Sequence, residues 1–206
     1  MNRYSTQILV FDGVELLDFS GPHEVLTACR AEETQRASTA SPFEISLVSA
    51  DGPEVLTNGN VRFGADQLLS EAAEPDIFIV PGGIGVRRLR TDEYVLQSLR
   101  ELAGAGCVMV SVCTGALLLG SAGLLDGRNC TTHWMFTEQL QQDSPLARVH
   151  SDNRVVDDGS LVTGAGVTAG IDLSLRLVER FVSREAALAT AAYIEYAPSP
   201  DYLFRR

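Results

Sequence analysis

Short apolar runs alternate with amphipathic stretches along most of the chain. Residues 6–11 (TQILVF), 43–49 (FEISLVS), 76–80 (DIFIV) and 107–112 (CVMVSV) are nearly all apolar and too short for buried helices. Such runs predict strands covered on both faces, as in a parallel sheet. Residues 21–30, 92–103, 114–122, 168–182 and 184–196 carry helical spacing instead. In the first of these, Pro22 is read as a first-turn residue, where its missing N–H costs nothing. Residues 154–156 and 160–163 flank Asp158-Gly159, a hairpin signal. Residues 31–42 are small and polar and read as a surface loop, with its position relative to any pocket left open. Strands alternating with helices predict an α/β three-layer sandwich with a mainly parallel central sheet.

Ligands of such sheets bind beyond the carboxyl ends of the strands. Three segments end predicted strands with unusual residues there: 14–21, Pro81 to Gly85, and Cys113-Thr114-Gly115.

The totals bound the possibilities. With 206 residues and no linker or repeat, the chain is read as one domain over 1–206. Lys and Arg total 16 against 27 acidic residues, a net charge of -11. That balance argues against nucleic acid and against an anionic membrane surface as partners. The first apolar stretch is short and soon followed by acidic residues, unlike a signal peptide, and no apolar run is long enough to span a membrane. The expected location is the cytoplasm.

There are four cysteines, Cys29, Cys107, Cys113 and Cys130, and no Cys-x-x-Cys pair. Neither a zinc knuckle nor a thioredoxin motif is signalled. Cys29, Cys107 and Cys130 fit the role of small buried hydrophobes. Cys113 differs by position. In VMVSVCTGALLLG it sits on the turn between a buried strand and a helix, which resembles a nucleophile elbow. The helix N-terminus is expected to favour thiolate over thiol. Gly115 allows close packing of that turn, and Thr114 adds a hydroxyl beside the sulfur.

A nucleophile needs a proton partner. Asp18, in ELLDFSGP after the first strand, reads equally as a buried acid of raised pKa or as a helix N-cap, a role open to Ser20 as well. Backbone N–H groups of Gly82 and Gly83 can stabilise developing negative charge, or the segment is simply a tight turn. His133, in CTTHWMF, is read as a third member of the site or as a core histidine beside Trp134. His23 and His150 are read as a helix-face and a surface residue. The three histidines lack metal-ligand spacing, so no metal is expected.

Together IFIVPGG, SVCTGALLLGSAGLLDGR, TTHW and TGAGVTAGIDLSL resemble the ThiJ/PfpI superfamily, over essentially the whole chain. The resemblance implies a flavodoxin-like fold similar to class I glutamine amidotransferases. Within the superfamily, LLDFSGPHEVL, SVCTG, TTHW, GVTAGID and the late EYAP look closest to bacterial isocyanide hydratases. Those enzymes add water to an isocyanide and release an N-substituted formamide. Carried over, this implies Cys113 as nucleophile, Asp18 as acid and base, and Thr114 hydrogen-bonding near the sulfur. Gly82, Gly83, Gly166 and Val167 would line the pocket. No cofactor is implied, and a homodimer is.

Departures from other branches narrow the choice. PfpI-type peptidases carry Cys-His-Gly at the elbow, where this chain has Cys113-Thr114-Gly115, so an adjacent base is missing. The deglycase and glyoxalase-like branch uses a glutamate where Asp18 stands. Regulators with a ThiJ/PfpI-like domain and a helix-turn-helix module share the motifs. The sequence ends at Arg206 soon after EYAP, so that module is not expected. The alternatives to isocyanide hydration are an enzyme acting on small carbonyls and a non-catalytic small-molecule or redox sensor.

Overall fold

A computed structural model describes residues 3–198. In chain order the strands are β1 (Tyr4–Val10), β2 (Phe43–Ser49), β3 (Glu54–Leu56), β4 (Arg62–Gly64), β5 (Gln67–Leu68), β6 (Ile77–Val80), β7 (Val108–Val112), β8 (Asn129–Cys130), β9 (Arg148–Val149), β10 (Val155–Asp157) and β11 (Leu161–Gly164). The helices are α1 (Leu16–Ala28), α2 (Val86–Leu89), α3 (Glu93–Gly104), α4 (Gly115–Ser121), α5 (Thr137–Asp143), α6 (Ala169–Phe181) and α7 (Arg184–Tyr193).

Seven strands form the central sheet in the order β10-β11-β7-β6-β1-β2-β5. Every pairing in it is parallel except β10 with β11, the predicted hairpin. The middle strands are the most apolar. All four residues of β6 are buried, and so are Ile8, Leu9 and Val10 of β1. Helices α1, α6 and α7 pack together on one face, and α2, α3, α4 and α5 on the other. This is the three-layer α/β sandwich expected from the alternation of runs. Among the described residues, no helix is long and apolar enough to cross a membrane.

Three local readings change. Helix α1 begins at Leu16, well before Gly21, so Pro22 lies inside it. An interior proline leaves the carbonyl four residues back without its helical donor, here that of Asp18. Its ring is accommodated by a close crossing with α6: a Cβ on Gly170 would lie 3.2 Å from Pro22 Cδ. Glu15 occupies the N-cap position, so neither Asp18 nor Ser20 is the cap. The short hairpin of β3 and β4 was not predicted; three-residue strands leave too little alternation to read. It packs on the turn after β1, where Gly13 N–H donates to Leu56 O at 2.8 Å and Asn58 N–H to Val14 O at 2.9 Å.

The 31–42 loop contains one turn of 3-10 helix at Glu33–Gln35. It is tied to the end of α1: Arg36 donates to Ala28 O at 2.8 Å and Ser41 to Leu26 O at 2.6 Å. It leads into the start of β2, where Phe43 pairs with Tyr4 at the start of β1. The loop therefore lies at the end of the sheet opposite the strand carboxyl ends and does not cover a site there.

Candidate active site

β1, β6 and β7 are neighbours in the sheet, and their carboxyl ends carry the three unusual segments. The chain leaves β7 at Val112 and turns at Cys113 with φ 57°, a left-handed conformation that a non-glycine residue seldom adopts. Several bonds hold the turn in that shape. Cys113 N–H donates to Gly164 O at 3.1 Å and to Ala165 O at 2.9 Å, and Thr132 Oγ1 donates to Cys113 O at 2.7 Å. Gly115 lets the elbow press on β6, since a Cβ there would stand 2.0 Å from Val80 O. Gly115→Ala is accordingly expected to destabilise the protein by about 3 kcal/mol or more, because a backbone atom cannot rotate away. Urea unfolding reads this; an unchanged midpoint would contradict the packing described.

Asp18 sits in the first turn of α1 and is fully buried. Its Oδ2 accepts from Gly82 N–H at 3.0 Å, while Oδ1 is buried without a partner of regular hydrogen-bond geometry. The Cys113 thiol is close enough to act on it as a donor. Burial pushes the Asp18 carboxyl up to about 7, against the pull of Gly82 N–H, and the charge of Glu15 adds to the rise. The carboxyl therefore exchanges its proton near neutral pH, where its two forms are comparably populated.

Cys113 moves opposite to the sequence expectation. Burial, then the charge of Asp18, push its thiol up to about 12. The N–H groups of Val167 and Thr114 point at the sulfur and pull the other way, but α4 has only seven residues and does not prevail. Cys29, Cys107 and Cys130 are also buried and raised, chiefly by burial. Cys113 is set apart by its strained turn, its acid neighbour and its access to a cavity.

Gly82 and Gly83 were expected to offer N–H groups to a substrate. Both donors are engaged within the protein instead. Gly82 N–H holds Asp18, and Gly83 N–H donates to Thr114 Oγ1 at 3.0 Å. The segment is crowded as well: a Cβ on Gly82 would meet Thr114 Oγ1 at 2.6 Å and Asp18 Oδ2 at 2.8 Å. Thr114 thus approaches the sulfur through its backbone N–H, with its hydroxyl turned to Gly83. Val167, at φ 34°, directs its N–H at Cys113 Sγ.

Gly166 packs against the His133 ring, whose Cδ2 would lie 2.4 Å from a Cβ at that position. His133 Nδ1 accepts from Met135 N–H at 3.2 Å, which leaves Nε2 to carry the proton of the neutral ring. His133 is half-buried on the cavity wall, and Trp134 beside it is 73% exposed, so neither is a core residue. No hydrogen bond joins His133 to Cys113 or Asp18.

The cavity itself holds about 410 Å³. Cys113, Thr114, Gly83, Val167 and His133 are in its wall, together with Leu117 and Phe136. Three features were missed from sequence. Glu15 lines the cavity and acts on Asp18. Arg87 and Arg90 line it from the α2 side. Arg154 forms an ion pair with buried Asp172 and donates to Thr168 Oγ1 at 2.8 Å, tethering the loop that carries Val167. Tyr196, in EYAP, donates to the same Asp172 at 2.9 Å. Lone charges far apart in sequence carry no spacing signal that would have revealed any of these.

Comparison with known proteins gives a consistent picture. The DJ-1/PfpI family model matches residues 5–180. Isonitrile hydratase from Pseudomonas putida (isonitrile is a synonym of isocyanide) is 35% identical over 194 residues, 94% of this chain and 79% of that protein. The HTH-type transcriptional regulator GbdR of Pseudomonas aeruginosa is 30% identical over 196 residues, 95% of this chain but 51% of the regulator. Among solved structures, a ThiJ/PfpI family protein from Pseudomonas syringae aligns with a TM-score of 0.84 at 27% identity, covering 97% of this chain and 78% of that one.

Proposed function

Since the chain belongs to the DJ-1/PfpI family, we propose that it is an isocyanide hydratase working through Cys113 and Asp18. The observation that carries the reading is the pair itself: a fully buried carboxyl raised to about 7 beside an elbow cysteine open to a cavity. The likeness to an isonitrile hydratase supports the same choice.

The pair explains how attack begins without a lowered thiol pKa. Between about pH 7 and 12 it holds one proton, on sulfur or on the carboxyl. Moving that proton from Sγ to Asp18 yields thiolate beside carboxylic acid at no change in total charge. The thiolate attacks the terminal carbon of the isocyanide, and Asp18 delivers its proton to the same carbon. A neutral thioimidate forms on Cys113. The Asp18 carboxylate then takes a proton from water as its oxygen adds to that carbon, and the nitrogen receives the proton. Collapse expels the Cys113 thiolate, releases the N-substituted formamide and returns a proton to Asp18. One water and one isocyanide are consumed, and two smaller steps replace one difficult addition.

The engaged N–H groups of Gly82 and Gly83 bear on the choice of reaction. Acyl transfer needs free donors waiting for an oxyanion. Here those donors position the acid and the threonine, which suits a reaction whose developing charge is quenched by proton delivery.

The test offers the purified protein several alkyl and aryl isocyanides and follows formamide. Turnover is expected; none with any of them would overturn the reading. If isocyanides bind without turnover, a sensor resembling the regulator's domain takes its place. The rate should also follow the pair's titration. Below about 7 both groups are protonated and no thiolate forms. Thus kcat/KM is expected to rise through about pH 7 and stay level into the alkaline range, as read from initial rates over pH 5–9.5. A profile that falls through neutral pH would contradict the assignment.

A further inference from the structure

Most arginines of this acidic chain are ion-paired. Helix α2 shows the pattern and its exception. Arg88 turns away from the cavity to Asp51, at 2.6 Å. Arg90 faces the cavity but is held by Asp143 at 2.7 Å and Ser121 at 3.0 Å. Arg87, one turn before Arg90 and on the same helix face, also lines the cavity. Its guanidinium has no hydrogen-bond or ion-pair partner among the described residues. With 27 acidic residues in the chain, an arginine beside Cys113's cavity that meets none of them is a vacant anion contact. The cavity's own carboxylate, Glu15, forms no ion pair with it and acts on Asp18 instead.

Resting on the hydration reading, we infer that the cavity selects isocyanides carrying a carboxylate, with Arg87 as the group that binds it. A guanidinium offers a planar pair of donors matched to a carboxylate. The isocyano carbon is then presented to Cys113 while the charged end stays toward α2. Arg87 acts on selectivity and takes no part in the chemical step.

The probes are isocyanoacetate and the longer 4-isocyanobutanoate, each against its methyl ester. For at least one pair the carboxylate is expected to have the higher kcat/KM, through KM, with an advantage that shrinks as salt rises. Arg87→Gln should reduce the carboxylate-to-ester ratio about tenfold, and Arg87→Lys should restore part of it. Arg87→Glu should favour the ester. A ratio unchanged in Arg87→Gln would overturn the inference. A binding measurement separates this from failure of the hydration reading. Calorimetry of N-formylglycine and its methyl ester with the Cys113→Ser protein reads anion preference without turnover. Preference lost in the Arg87→Gln background supports the inference even where no formamide forms. Equal binding of acid and ester overturns it even where hydration holds.

Discussion

Replacing Cys113 by alanine is expected to cut formamide production by at least about 10³-fold while the protein stays folded, because no other cysteine lines the cavity to form the thioimidate. The fold should tolerate the change. Cysteine and alanine bear the same Cβ, so the cost of φ 57° is the same for both. The bonds that force the turn are backbone bonds to Gly164 and Ala165, and alanine keeps them. The N–H groups of Val167 and Thr114 lose the sulfur but lie at a cavity wall, where water can reach them. Cys113→Ser should be equally inactive, since an alcohol cannot pass its proton to a carboxyl of pKa about 7 and leave a useful concentration of alkoxide. Near-UV circular dichroism alongside the formamide assay separates loss of chemistry from loss of structure. Substantial turnover by folded Cys113→Ala would remove the cysteine from the mechanism.

Asp18→Asn is expected to have two opposite effects. Turnover should fall by about 10²–10⁴-fold, the range for losing a positioned acid and base. The amide keeps the shape and can still accept from Gly82 N–H, but it delivers no proton to the isocyanide carbon. Stability should rise. The carboxyl goes from 3.8 to about 7 on folding, mainly through burial. Between those values the folded state holds a proton that the unfolded state has released, so wild-type stability falls as pH rises across this window. Once pH exceeds about 7 the loss is complete, and at 1.36 kcal/mol per unit it amounts to about 4 kcal/mol. Asparagine has no charge to bury. Asp18→Asn should therefore unfold at a higher denaturant concentration than wild type above pH 7, with the difference closing as pH falls toward 4. Equal midpoints at pH 8 would mean that the Asp18 environment tolerates the charge. In the same variant the step of kcat/KM near pH 7 should disappear, and the residual rate should climb with pH as the Cys113 thiol ionises directly.

The sheet was readable because its central strands are buried on both faces. IFIV and VMVSV leave few choices other than parallel strands, whereas their register came only from the structure. The elbow at Cys113 was readable because an apolar strand stops at a cysteine and a helix starts two residues later. Elements held by tertiary contact were not. The β3–β4 hairpin has three residues per strand, and Pro22 drew the start of α1 too far along the chain. Asp18 was found from its place after β1, yet its role turned on that helix start, since an N-cap and a first-turn buried acid look alike in sequence. The thiol's pKa was misjudged because a helix N-terminus can be seen in sequence and burial beside a carboxylate cannot. Gly82 and Gly83 show the same limit: their type and position suggested open donors, and only the packing reveals that Asp18 and Thr114 already occupy them.

The covalent step is the central claim, and rapid-quench intact-mass analysis during turnover reads it directly. Wild-type protein mixed with an isocyanide should gain the mass of one isocyanide molecule on the peptide containing Cys113. The adduct should appear and decay at rates that account for formamide release, and it should be missing in Cys113→Ala. Formamide released at full rate with no adduct on Cys113, or with the adduct on another residue, would contradict the mechanism.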